Sequence, residues 1–211
     1  VGTSLVHTQG TYSTSEGNIF NLMLAGGNQT IDTHWYQHEF GHVLGLTDIR
    51  DTTDVSNQQS DGMYFDVMNN PILPETFVWH RFLLGFLSDS QVHCVTSQNI
   101  STHWLVPVES KSNKLKGVVI PLSDTEALIV ESRRQIGWDN VPSSQRVYGQ
   151  TVSELMGAIV YRLDTSIPYG RSPVKMLKVL KNHQFTISDQ FKVSVVESGD
   201  FGDVVKVEKI S

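Results

Sequence analysis

"HEFGHVLGLTD", His38 to Asp48, sets two histidines four residues apart with a glutamate beside the first. At 3.6 residues per helical turn, the two imidazoles fall on one face, one turn apart. Imidazoles so placed can share one zinc ion at about 2.0–2.1 Å each. Glu39 points toward the open side of such an ion and can take a proton from its water, whose pKa drops to about 7. Gly45 lets the chain leave the helix through the left-handed conformation. Asp48, six residues after His42, then supplies a carboxylate as third ligand and leaves the fourth position to water. The blander reading is a solvated helix face with ordinarily hydrogen-bonded histidines. The full pattern arises on the order of once in 10,000 shuffles of this composition, so the metal reading is preferred. Glu75, Asp51, Asp54 and Asp61 are rival third ligands. The surplus aspartates also offer oxygen ligands for Ca2+, although no calcium-loop spacing is present.

The helical pattern around this stretch begins near Thr30, with Asp32 or Thr33 as cap and Ile31, Trp35 and Phe40 among its apolar positions. Upstream, residues 4–8 and "NIFNLML" (18–24) read as extended segments, with a turn at "GGN" (26–28). Downstream, 47–70 is an aspartate- and asparagine-rich loop. Pro74 then opens a second expected helix, "PETFVWHRFLLGFL", with an apolar stripe of Phe77, Phe82 and Phe86. "SDSQVHCVTSQNIS" (88–101) reads as a joint between two regions. Beyond it the period changes to two: "KGVVIPL", "EALIVESRR", "GAIVYRLDTS", "QFKVSVVES" and "DVVKVEKI" are strand-length runs rich in valine and isoleucine.

Composition narrows the partners. The 211 residues carry a formal net charge of -6, and no cluster of lysine and arginine stands out, which argues against nucleic acid. No apolar run approaches the roughly 18 residues of a membrane span, so no membrane partner is expected. The chain starts at Val1 and shows no signal peptide; a leader or preceding segment is expected to have been removed. The single cysteine, Cys94, forbids an internal disulfide and reads as a buried small residue. His7, His34, His80, His93, His103 and His183 read as surface, rim or ordinarily satisfied histidines. Glu131 with Arg133 and Arg134 reads as a structural ion pair on one strand. Nothing in the sequence fixes an oligomeric state.

The stretch resembles the HExxHxxGxxD signature of metzincin-like zinc peptidases whose third ligand is aspartate. "YFDVMNN" (64–70) is similar to their Met-turn, and "WHRFLLGFL", "ALIVESRRQIGWD" and "GAIVYRLDTS" resemble the immune inhibitor A-type secreted metallopeptidases of bacteria. The likeness spans most of residues 34–170. It implies an α+β fold: a zincin-like catalytic region over 1–90, with an active-site helix and Met-turn, and a β-rich sandwich or curled sheet over 91–211. It also implies a secreted, Zn2+-dependent endopeptidase acting on protein or peptide substrates. Carried over by position, His38, His42 and Asp48 would bind zinc, Glu39 would be the base, and Met68 would form the apolar floor. Tyr64 is a candidate oxyanion stabiliser or a rim residue. Only 37 residues precede His38, fewer than the sheet such domains carry. Either a shortened lobe with "NIFNLML" as its substrate-pairing edge strand suffices, or part of the domain lies outside this chain.

Overall fold

The computed structural model describes residues 5–24, 33–51, 53, 65–69, 75–96, 99–142, 146–147, 149–168 and 170–210, with backbone alone at 5–10, 21–24, 33–35 and 147. In chain order, β1 (Leu5–Thr14) and β2 (Gly17–Leu24) precede α1 (Thr33–Val43) and α2 (Val78–Leu83). Next come β3 (Val92–Cys94), β4 (Ile100–Leu105), β5 (Gly117–Pro121) and β6 (Glu126–Arg133). They are followed by β7 (Arg146–Val147), β8 (Gln150–Thr151), α3 (Val152–Leu155) and β9 (Gly157–Asp164). The chain closes with β10 (Val174–Leu180), β11 (Phe185–Ser188), β12 (Phe191–Gly199) and β13 (Gly202–Lys209).

Strands dominate, and this overturns the α+β expectation. The described residues form thirteen strands against helices of 11, 6 and 4 residues, so the chain is a β-rich domain rather than a zincin-like α+β catalytic domain. The second expected helix shrinks to α2, because Gly85 turns the chain at φ 72 just beyond it. Its apolar stripe fails as well: Phe77 is buried, but Phe82, Leu83 and Phe86 face solvent. The expected joint at 88–101 instead supplies β3 and the start of β4. Pro74 lies outside the described residues.

Two sheets make the body. The first has the order β10-β9-β6-β5-β3, antiparallel except for the β3–β5 pair; the second, β11-β12-β13-β4, is antiparallel throughout. Alternation along β6 shows why the first sheet is the middle layer. Leu128 and Val130 face the second sheet in a core with Val160, Val193, Val205 and Val207. Ile129 points the other way, into a second core with Leu46, Ile49, Phe65, Val67, Met68, Phe77 and Tyr161. A strand buried on both faces loses the polar alternation of a solvated one, which explains the unbroken "ALIV" at its centre. The second core is the floor on which the quoted stretch rests. Beside α1, β1 and β2 form a separate two-stranded antiparallel pair. No described helix is long and apolar enough to cross a membrane.

Buried charge braces the floor. The fully buried Arg133 guanidinium meets Glu109 at 3.0 Å and Glu131 at 3.1 Å, and also bonds Asp139. Burial raises the pKa of Glu109 and Glu131 in spite of that cation. Glu131 also accepts the Val78 N–H at 2.8 Å and the Tyr161 hydroxyl at 3.0 Å, anchoring the start of α2. Of the ion pair read from the sequence, Glu131 with Arg133 is one edge of a larger network, while Arg134 pairs with Asp203 at 3.0 Å instead.

Candidate metal centre

Local backbone chemistry builds half of the site. Leaving α1, the Gly45 N–H bonds the His42 carbonyl at 3.0 Å and the Leu46 N–H bonds that of Gly41 at 3.0 Å, with Gly45 at φ 95. This is the Schellman closure, which glycine accepts without steric cost. The reversal swings the Leu46 carbonyl onto Nδ1 of His42 at 3.0 Å and returns the chain toward the helix face. Asp48 arrives there buried, with Oδ1 3.3 Å from Nε2 of His38 and Oδ2 3.9 Å from Nε2 of His42.

The other half comes from a turn at residues 66–69. Its Val67 carbonyl lies 2.7 Å from Nδ1 of His38, and its Met68 carbonyl accepts the Ile49 N–H at 3.4 Å. Met68 is fully buried beneath α1, where Gly41 leaves room for its sulfur. The two histidine rings stand 4.8 Å apart, nearly perpendicular at 89°.

The tautomers follow from the partners. A carbonyl only accepts, so each Nδ1 facing one must carry the proton, and each neutral ring presents an Nε2 lone pair to Asp48. Lone pairs then face a carboxylate across a buried space. Oδ1 of Asp48 has no well-formed hydrogen bond, and neither has Nε of Arg50, 3.8 Å away. A cation between the three side chains would resolve the arrangement, and two imidazole nitrogens with a carboxylate form a zinc-type donor set. Without a cation, a proton takes that place once the pH falls below the raised pKa of His38. Burial lowers the His38 pKa, but the Asp48 carboxylate and the Val67 carbonyl outweigh it and hold the ring above its ordinary value. Burial likewise opposes ionisation of Asp48, yet the two histidines and Arg50 keep its pKa low.

Among the described residues, the group of three whose donor atoms all lie within 4.8 Å of one another is His38, Glu39 and His42. Asp48 is buried, with its two oxygens 3.3 and 3.9 Å from the Nε2 atoms of His38 and His42, whereas Glu39 is half-buried on the neighbouring helical position.

Two of the rivals, Glu75 and Asp51, are occupied elsewhere. Glu75 is buried against Arg81, and Asp51 bonds Thr53 and Arg171. Tyr64, Asp54 and Asp61 lie outside the described residues. Cys94 is exposed, not buried as its composition-based reading had it, because it sits on the short edge strand β3. Sequence reasoning missed the carbonyls of Leu46 and Val67, and Asp66 and His80 behind the turn. Only Asp66 left a local trace, since an aspartate two residues before an N–H commonly caps it. The chain matches no family model, no curated protein and no solved structure.

Proposed function

We propose that the chain is a zinc-dependent endopeptidase that hydrolyses protein or peptide substrates, in the manner of the aspartate-ligated secreted peptidases its motif resembles. One observation carries the reading: both Nδ1 atoms are committed to carbonyls, so both Nε2 lone pairs converge on the Asp48 carboxylate. His38, His42 and Asp48 would hold the ion. Bound zinc supplies a water of pKa about 7 and positive charge for a developing oxyanion. Glu39 takes the proton of the attacking water and delivers it to the leaving amine. Met68 and the core beneath it hold α1 level, so the donor spacing survives thermal motion. Secretion belongs to the same proposal.

The β-rich fold favours a second reading, a binding or adhesion module that keeps the ion for stability alone. Metal content and proteolysis measured on one preparation separate the two. The peptidase reading expects about one zinc per chain and cleavage of an unfolded protein substrate that a chelator abolishes. Zinc without chelator-sensitive cleavage favours the binding module, and absence of zinc overturns both.

A further inference from the structure

We propose that Asp66 is a positioning residue for the metal centre, fixing the Val67 carbonyl on Nδ1 of His38, and that His80 fixes Asp66 in turn; this rests on the metal reading above. The Asp66 side chain is fully buried and accepts three N–H groups. Oδ1 takes the Met68 N–H at 2.7 Å; Oδ2 takes the Phe77 N–H at 2.7 Å and Nδ1 of His80 at 2.8 Å. The Asp66 carbonyl closes the turn by accepting the Asn69 N–H at 3.0 Å. A carboxylate is stable there only because all three donors meet it.

The turn has three outputs into the site. Val67 sets the His38 tautomer, Met68 supports α1 at Gly41, and the Met68 carbonyl ties down Ile49 beside Asp48. Asp66 stands at the root of all three and itself touches no metal donor. Its anchors, Phe77 and His80, belong to the start and body of α2, which Glu131 pins to the middle sheet through Val78. The chain of contacts thus carries the rigidity of the sheet to one ring nitrogen. Partners that orient a metal-ligating histidine typically change metal affinity by about 10–100-fold when removed.

The test uses the full chain with Co2+ as probe. Asp66→Asn puts an amide where an acceptor is needed; His80→Phe removes one donor and leaves Asp66 in place. Both are expected to weaken Co2+ binding, the first by about 10–100-fold and the second by less. In the metal-free protein, at a pH above the raised His38 pKa where the ring is neutral, 15N NMR should show the variants' His38 losing its single Nδ1-protonated tautomer. A purely structural Asp66 would lower the melting temperature while Co2+ affinity and the His38 tautomer, read well below it, stay unchanged; that result overturns the inference. If Asp66→Asn fails to fold, His80→Phe decides by the same two readouts. Should the wild type bind no Co2+, the metal reading falls, and the tautomer comparison still judges the positioning role.

Discussion

Gly41 and Met68 share one volume: a β-carbon on Gly41 would overlap the sulfur of Met68, which is fully buried beneath the helix. The absence of a side chain at 41 is what lets the methionine pack against the helix there. Gly41→Ala should therefore destabilise the protein by about 1–3 kcal/mol through overpacking. Met68→Ala should cost about 2–5 kcal/mol. The double variant should cost clearly less than the sum, since the methionine's removal makes room for the methyl. Urea unfolding of the four proteins checks this, and strict additivity would contradict the packing.

Glu39 is half-buried, with its carboxylate within 4.8 Å of donor atoms of His38 and His42. Glu39→Gln should retain zinc and lower peptide hydrolysis by about 10²–10⁴-fold, the usual worth of a general base. Metal analysis and initial rates on the same sample test it; undiminished activity would remove Glu39 from the mechanism.

Asp48 meets both Nε2 atoms. Asp48→Ala should weaken zinc binding by more than about 100-fold, beyond what loss of an orienting partner costs. Glu75→Gln should leave it nearly unchanged, because Glu75 is turned toward Arg81. Calorimetric zinc titration distinguishes the two, and the reverse ranking would reassign the third ligand.

In the proposed centre, zinc and a proton would compete for Nε2 of His38, whose pKa lies above 6.5. Zinc affinity should climb as pH rises through 6.5 to that raised pKa, then level off. Without metal the sign reverses. A raised base stabilises fully below 6.5 and loses that contribution as pH rises through its folded-state pKa. Asp48, held below 3.8, loses its share only as pH falls through its lowered value. The metal-free pair is thus most stabilising between 3.8 and 6.5. Urea melts across pH, with and without chelator, should diverge above that window.

Arg133 is the cation among three buried carboxylates. Arg133→Met should destabilise by about 3–5 kcal/mol, because uncompensated acids are left behind. A change within 1 kcal/mol, read from chemical denaturation, would show the cluster to be self-sufficient.

What the sequence determined by itself is local. A four-residue spacing put His38 and His42 on one helix face, and a glycine three residues later closed that helix and turned Asp48 back toward it. The valine-rich runs became β5, β6, β9, β12 and β13 because alternation is written in neighbouring residues. Only tertiary structure decided that strands would outweigh helices, and that the phenylalanine stripe after Val78 would face solvent. It alone brought Val67 to His38 across 29 positions and gathered Glu109, Glu131 and Asp139 around Arg133. Helix period and caps depend on bonds a few residues long, which any local window contains. Contacts across tens of residues depend on the path of the whole chain, and no residue pair announces them in advance.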